Sequence, residues 1–245
     1  GPVAGWAGRQ ANFNKAMMGK EGPSALGYGG EELVGKIIAG NDFNYVKDHA
    51  EALRHSGKYN IVSCNSKTVE SGEMNLSKYA MVDLLLGNEK DDGHSLYYYK
   101  TFKPALRQQL SKYLNGRGKL FVSGSYLASD MQGVDEQDWL RNNLKITFNG
   151  ANYDNYNSIV SGMGMSFDVY RTINEEHYGA YTPDNILPVD NAFSTLTYAD
   201  GQTAAVAYKG TGNSVFTLSF PFECIKDATT RNSIMKGIVN FLMKK

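Results

Sequence analysis

The sequence predicts an α/β protein in which helices cover both faces of a mostly parallel sheet. Three observations support this fold class. Helical and strand-like segments alternate from about residue 42 to residue 144, the strand-like segments are apolar, and residues 145–220 resemble short strands joined by Asn, Asp and Gly turns. Apolar strands separated by helices form parallel sheets that are buried on both faces. We therefore expect a three-layer sandwich with a late antiparallel β extension.

The bulk composition limits the domain count and the partners. A chain of 245 residues can bury a substantial core, and we treat residues 1–245 as a single domain. Lys and Arg number 25, as do Asp and Glu, so no net charge attracts nucleic acid. No apolar run approaches the roughly 20 residues of a membrane helix. The start "GPVAGWAGRQ" lacks the features of a signal peptide, so an exported protein would have had that segment removed.

The elements are predicted in chain order from apolar periodicity. Residues 1–40 are rich in Gly and Ala and predict an irregular segment of short helices and loops, without a convincing strand. A helix is predicted at about 42–55, with His49 on its apolar face. The apolar runs "YNIVSC" and "AMVDLLL" predict strands at 59–64 and 80–86.

The middle of the chain contains a helix, a strand and a sharp turn. Helix 102–115 has one apolar stripe and ends at "NGRG", where glycines can adopt left-handed conformations. Strand 119–123 follows, and "VSGSY" then predicts a turn into a helix of about ten residues. "DEQDWLRNNL" predicts a further helix.

The C-terminal part is β-rich until its last element. Residues 145–220 form the predicted extension, in which "ADGQ" and "KGTGN" join three short strands. The closing "TTRNSIMKGIVNFLMKK" predicts an amphipathic helix with Ile234, Ile238, Phe241 and Leu242 facing inward.

Cysteine and histidine spacing favours no metal or redox chemistry. Cys64 and Cys224 are too few for a disulfide framework, and we interpret both as small, buried or half-buried thiols. The four histidines show no HxH or HExxH spacing. We therefore predict no metal site and no cofactor.

Several phrases, in this order along the chain, together resemble one family: "GNDFNY", "VSCN", "MVDLLLGNEK", "LFVSGSYLASDM", "PDNILPV", "AAVAYKG" and "FPFECI". They look like the golvesin-like or xanthan lyase family domain of secreted Bacteroidetes proteins, which belongs to the class I glutamine amidotransferase-like superfamily. The resemblance covers about residues 40–245. It implies a flavodoxin-like order of the three-layer sandwich and a secreted, periplasmic or cell-surface location.

The resemblance also implies a strand that this chain does not show. Members of the family generally have an apolar strand just before the "GP" found here at residues 1 and 2. A flavodoxin-like order would put that strand near the centre of the sheet, so its loss would leave strand edges unpaired. Either the strand has been cut away or another segment replaces it.

The catalytic groups of the superfamily are mostly missing. The amidotransferases that this chain resembles share two features. They have a nucleophilic Cys at a strand–helix elbow and a His-x-Glu pair after a late strand. This sequence has Ser125 at the elbow, Pro221 where the His is expected, and only Glu223 of the pair. Because serine without a base is a poor nucleophile, glutamine amidotransferase activity is not expected. A loop histidine would have to supply the base, and His94 is a better candidate than His177.

Candidate site residues follow from the rule that ligands collect at the carboxyl ends of parallel strands. Two of them, Glu89 and Glu223, could form the carboxylate pair of a glycoside hydrolase, or Glu223 could pair with Arg231 or Lys226. "VSGSY" can instead be purely structural, with a serine capping the next helix, or its free amides can bind an anionic ligand. The catalytic candidates are Glu89, Ser125 and Glu223, with His94 as a candidate base, and the ligand-binding candidates are Asn88, Ser123, Gly124 and Tyr126.

Three functions remain open from the sequence. The first is a noncatalytic or accessory domain of a secreted polysaccharide-associated protein, and the second is a carbohydrate-active hydrolase or lyase. The third is a structural or assembly module. The tyrosines in "GANYDNYN" suit either stacking on sugar rings or a protein interface. The expected partners are therefore polysaccharide or other domains of the parent protein, with no nucleic acid and no membrane insertion.

Overall fold

The computed structural model describes residues 11–12, 37–38, 44–91, 100–174 and 177–244. The helices are α1 (Val46–Ser56), α2 (Ser66–Glu70), α3 (Pro104–Asn115), α4 (Val134–Trp139) and α5 (Ala228–Met243). The strands are β1 (Ala11–Asn12), β2 (Ile37–Ile38), β3 (Val82–Gly87), β4 (Lys119–Gly124), β5 (Ile146–Ala151), β6 (Ile159–Gly162), β7 (Met165–Asp168), β8 (Asp184–Pro188), β9 (Phe193–Tyr198), β10 (Thr203–Lys209) and β11 (Ser214–Leu218). Within these ranges no helix is long and apolar enough to cross a membrane.

The main sheet has seven strands in the order β3-β4-β11-β10-β9-β6-β7. The first three strands run parallel to one another. The strands from β10 to β7 are joined by antiparallel pairings. Strands β5 and β8 form a separate antiparallel pair. The mixed α/β class and the late antiparallel extension are confirmed, but the parallel part is limited to three strands.

Two apolar cores lie on opposite faces of the sheet. Successive side chains of a strand point to opposite faces, and β4 shows this with Phe121 in one core and Leu120 in the other. Helices α1 and α5 cover the face of Phe121, where Ile234 and Ile238 are fully buried. Helix α3 and a π-helix that follows α4, Leu140–Leu144, cover the other face. This arrangement brings the loops after β3, β4 and β11 to one edge of the sheet.

Three predicted features are wrong. Residues 57–65 contain no strand, because they do not pair with β3. Residues 125–130 form turns instead of a helix, because backbone amides that would start the helix bond to a side chain described below. The irregular segment 1–40, for which no strand was expected, contains β1 and β2, which pair antiparallel.

Candidate functional site at the carboxyl ends of the central strands

The elbow, residues 123–126, is held tightly against the end of β3. A Cβ atom at Gly124 would lie 3.0 Å from the Cβ of Leu86 and 3.2 Å from the carbonyl oxygen of Gly87. The amide of Ser125 donates to the same Gly87 carbonyl at 2.8 Å. Glycine is needed here because two strand ends approach closely.

The side chain of Ser125 is used inside the protein. Ser125 is fully buried, and its hydroxyl donates to Asn88 Oδ1 at 2.5 Å. The Asn88 amide group in turn donates to the carbonyl of Gly179 at 2.8 Å. An amide oxygen cannot remove the hydroxyl proton, so this contact does not activate Ser125 as a nucleophile. The chain of hydrogen bonds instead joins the elbow to the 177–183 loop.

An internal carboxylate occupies the amides that the sequence assigned to an external anion. Asp184 Oδ2 accepts hydrogen bonds from the amides of Ala128 at 2.7 Å and Ser129 at 2.9 Å. Burial raises the pKa of Asp184 to about 6, against the lowering effect of these hydrogen bonds. The predicted helix cap by Ser123 or Ser125 is therefore wrong, because Asp184 satisfies the amides after the elbow.

A second polar group, the His49 cluster, consists of His49, Asp83, Tyr178 and Glu223. His49 Nδ1 lies 2.8 Å from Asp83 Oδ2, and His49 Nε2 lies 3.2 Å from Glu223 Oε2. The Tyr178 hydroxyl donates to Glu223 Oε1 at 2.6 Å. The ring of Phe222 packs edge-on against His49 at 4.8 Å. The cluster therefore joins α1, β3, the 177–183 loop and the turn after β11.

The electrostatics of this cluster keep its histidine charged. Burial by itself would lower the pKa of His49, but Asp83 and then Glu223 outweigh burial and raise it to about 10. Burial by itself would raise the pKa of Glu223, but His49 and then Tyr178 lower it. At neutral pH His49 is an imidazolium that donates to both carboxylates. It has no free lone pair, so it cannot act as a general base.

The two carboxylate candidates have different surroundings. Glu223 is buried and bonded to His49 and Tyr178. Glu89 is half-buried, and its backbone carbonyl accepts a hydrogen bond from the Thr101 hydroxyl at 2.7 Å. The carboxylate pair of a glycoside hydrolase therefore stays a prediction. The alternative ion pairs of Glu223 are not formed: Arg231 contacts Asp48 at 3.3 Å, and Lys226 contacts Asp168 at 3.8 Å.

The candidate histidines do not supply a base to Ser125 in the described residues. His94 lies outside the described residues. His177 Nδ1 lies 2.6 Å from the carbonyl oxygen of Tyr178, and its ring stacks on Tyr170 at 4.9 Å. Burial lowers the pKa of His177, so it is neutral at pH 7.

The remaining ligand-binding candidates separate into buried and accessible groups. Ser123 is fully buried. The Tyr126 hydroxyl donates to the Tyr181 carbonyl at 2.7 Å, and the Lys90 ammonium lies 4.4 Å from the centre of the Tyr126 ring. Tyr126 and Gly124 are buried as well, so that of the four ligand-binding candidates only Asn88 is half-buried.

Exposed tyrosines lie next to this end of the elbow. Tyr153 and Tyr156 are exposed, and so is Tyr181. The amide of Thr182 donates to Asn155 Oδ1 at 2.9 Å, which fixes the 152–157 loop beside Tyr181. We call Tyr153, Tyr156 and Tyr181 the tyrosine surface. Two of its three tyrosines, Tyr153 and Tyr156, come from the stretch "GANYDNYN" (150–157), for which the sequence suggested sugar stacking or a protein interface.

The cysteines differ in exposure. Cys224 is buried beside Glu223, and burial raises the pKa of its thiol. Cys64 is exposed, which corrects the interpretation of both as covered thiols. Neither forms a disulfide.

Sequence reasoning missed His49, Asp83, Tyr178 and Asp184 as members of these clusters. Two of them carried a signal. His49 interrupts the apolar face of α1, and Asp83 interrupts the apolar run "MVDLLL". A charged group on a buried face is rare unless it has a partner. The partner itself is far along the chain, so spacing alone could not identify it.

Comparisons with known proteins give a likeness of fold. No protein-family model and no curated protein matches the chain. The structure is similar to a cold-adapted β-galactosidase from Rahnella sp. R3, with 16% identity, a TM-score of 0.51, and coverage of 80% of this chain and 26% of that one. It is also similar to a β-galactosidase from Halorubrum lacusprofundi, with 15% identity, a TM-score of 0.50, and coverage of 83% and 27%.

A third similar structure is a cytoplasmic protein from Salmonella typhimurium, with 13% identity, a TM-score of 0.52, and coverage of 85% of this chain and 89% of that one. The chain thus spans about a quarter of the length of the β-galactosidases it matches, and most of the Salmonella protein. At these identities the likeness concerns the fold alone.

Proposed function

We propose that this chain is a noncatalytic accessory domain of a secreted polysaccharide-associated protein, built on an amidotransferase-like scaffold with a flavodoxin-like order. The observation that carries the proposal is the state of the elbow. The Ser125 hydroxyl is buried and bonded to Asn88, and Asp184 fills the neighbouring amides. The strand end that would bear a nucleophile is therefore closed by internal hydrogen bonds.

The association with carbohydrate has two supports. The ordered phrases of the sequence resemble the golvesin-like or xanthan lyase family domain of secreted Bacteroidetes proteins. In addition, the fold is similar to a part of two β-galactosidases. Secretion or a cell-surface location follows from the family resemblance and belongs to the proposal.

The tyrosine surface is the proposed contact with polysaccharide. Aromatic rings supply a flat apolar face with a polar rim, which suits the apolar face and hydroxyl edge of a sugar ring. Tyr153, Tyr156 and Tyr181 are exposed, and the bond from the Thr182 amide to Asn155 ties the loop of Tyr153 and Tyr156 to the residue after Tyr181. A surface of this kind binds without needing a nucleophile or a base.

The test is a glycan array together with turnover assays on the same polysaccharides. We expect binding without turnover in the wild type, and at least a tenfold loss of binding in Tyr156→Ala. Tyr59→Ala is the matched control, because Tyr59 is an exposed tyrosine on a different part of the molecule. Hydrolysis or lyase activity that disappears in Glu89→Gln would refute the noncatalytic assignment. Absence of all glycan binding by a folded wild type would favour an assembly module.

A further inference from the structure

The loop of residues 152–157 carries two of the three tyrosines of the tyrosine surface, and apolar packing does not hold it in place. Tyr153 and Tyr156 are exposed. None of residues 153–159 is buried, so this stretch inserts no side chain into either core. A segment with few buried contacts opens easily unless hydrogen bonds fix it. The polar contacts of the loop therefore decide where the two tyrosine rings lie.

Arg171 makes such contacts from the interior of the protein, where it is 4% exposed. Its Nη2 donates to Asn152 Oδ1 at 2.6 Å and to the backbone carbonyl of Asn152 at 3.3 Å. The same nitrogen donates to Asn155 Oδ1 at 3.5 Å. Among the described residues, no other side chain is hydrogen-bonded to both asparagines. One buried cation thus holds two points of the loop.

Arg171 is itself fixed to the body of the protein. The amide of the preceding residue, Tyr170, donates to the carbonyl of Cys224 at 2.8 Å, and the carbonyl of Tyr170 accepts from the amide of Ala180 at 2.8 Å. The guanidinium carbon lies 5.3 Å from the centre of the Tyr198 ring, which is a cation–π distance. Tyr198 is a buried residue of β9. Arg171 therefore links the loop to the main sheet.

The chemistry of these contacts suits a positioning role. All three oxygens that Arg171 contacts are neutral amide or carbonyl oxygens. Hydrogen bonds from a charged donor are stronger than those between neutral groups. The planar guanidinium also lies over the Tyr198 ring, whereas a lysine ammonium is a point charge on a flexible stem. We therefore expect lysine to be a poor substitute at this position.

The same two asparagines also join the loop to the segment of the third tyrosine. The amide of Asn152 donates to the carbonyl of Pro183 at 2.7 Å. Asn155 Oδ1 accepts from the amide of Thr182 at 2.9 Å. Thr182 and Pro183 directly follow Tyr181. The contacts of Arg171 therefore lie where the two segments of the tyrosine surface meet.

We propose that Arg171 is a positioning residue for the tyrosine surface and that, through Asn152 and Asn155, it fixes the loop that presents Tyr153 and Tyr156. Because Arg171 is buried, it acts through the loop and not by contact with a glycan. The inference rests on the proposed function for what the surface binds. The position of the loop can nevertheless be measured without any glycan.

The first experiment measures cleavage of the folded chain by chymotrypsin, which cuts after accessible tyrosines, with mass spectrometry to locate the cuts. Arg171→Lys should be cut after Tyr153 and Tyr156 about tenfold faster than the wild type, because cleavage follows the population of the opened loop and a charged hydrogen bond is lost. Asn155→Ala should show a similar increase. It removes the contacts to Arg171 and Thr182 and leaves the buried cation in place.

Arg107→Lys and Asn157→Ala are the matched controls. Arg107 is a half-buried arginine that pairs with Asp135 on α4. Asn157 lies in the same loop, but its side chain accepts from the amide of Ile159. Both variants should be cut within about twofold of the wild-type rate. The proposal is overturned if Arg171→Lys is cut no faster than Arg107→Lys, or if Asn155→Ala is cut no faster than Asn157→Ala.

The second experiment measures binding of a glycan that the wild type retains. Arg171→Lys should weaken binding about tenfold in the wild-type background and about threefold or less in the Tyr156→Ala background, because its effect passes through the loop that carries that ring. A general loss of stability would weaken binding by the same factor in both backgrounds, and equal factors would overturn the proposal. A wild type that binds no glycan would refute the proposed function, and the cleavage rates would then decide the positioning of the loop.

Discussion

The elbow and the edge of β3 beside residues 57–64 lie on the same sheet but differ in how their polar groups are satisfied. At the elbow, Asn88 and Asp184 satisfy the hydroxyl and the amides, so that few polar groups remain for a ligand. Among the described residues β3 pairs with β4 alone, and Tyr59 and Val62 in the segment beside it are exposed. The difference teaches that the carboxyl ends of the central strands are closed by internal hydrogen bonds, whereas the edge of β3 is not paired within the part of the chain that the structure describes.

The largest expected effect tests whether the His49 cluster is structural. His49→Gln should lower the free energy of unfolding by about 3–5 kcal/mol, because removal of one partner leaves buried carboxylates unpaired. His55→Gln on the exposed side of the same helix is the control and should change little. Chemical denaturation monitored by circular dichroism measures both. A change below about 1 kcal/mol in His49→Gln would contradict the assignment of a charged buried pair.

The pH dependence of the same cluster has a definite sign. The pKa of His49 is raised from 6.5 to about 10, so its contribution to stability is fully present below pH 6.5 and is lost as the pH rises through 10. The difference in unfolding free energy between wild type and His49→Gln should therefore shrink between these values.

The next effect concerns Asp184, whose raised pKa also makes stability fall as the pH rises, but over a lower pH range. Burial raises the pKa of this carboxyl from 3.8 to about 6, so folding favours the protonated form. Stability is therefore lost as the pH rises from 4 to 6. Asp184→Asn stays neutral and keeps an acceptor for the two amides. Relative to that of the wild type, the free energy of unfolding of Asp184→Asn should rise by about 3 kcal/mol between pH 4 and pH 7. A difference that is constant over this range would mean that Asp184 titrates normally.

A smaller effect tests the close approach at the elbow. Gly124→Ala should destabilise the protein by about 2 kcal/mol, because its Cβ would lie 3.0 Å from Leu86 Cβ and neither strand can move freely. Gly116→Ala, where the nearest atoms would be 3.4 Å away, is the control and should be close to neutral. Thermal unfolding of both variants checks the prediction. Equal melting temperatures would show that the two strand ends have room to separate.

The smallest effect tests the role of the elbow hydroxyl. Ser125→Ala should cost about 1 kcal/mol through the lost bond to Asn88 and should leave glycan binding unchanged. Ser233→Ala, on the exposed side of α5, is the matched control. Loss of a catalytic activity in Ser125→Ala, without loss of stability, would contradict the structural role of the elbow hydroxyl.

The sequence by itself determined the local elements and the class of fold. Apolar runs and helical periodicity suffice to predict β3, β4, α3 and α5, because each of these elements buries a face that its own residues define. The sequence also showed Ser125 at the elbow and Pro221 after the late strand, in place of the Cys and the His that the family resemblance implies, since these are questions of residue identity.

Only the tertiary structure decided what the polar residues do. Asp184 lies 56 residues from the amide of Ala128, and Glu223 lies 174 residues from His49, so no spacing rule connects them. The same holds for the failed strand at 59–64. Its sequence is suited to a strand, but a strand forms only where a neighbour supplies hydrogen bonds, and that neighbour is a property of the assembled sheet.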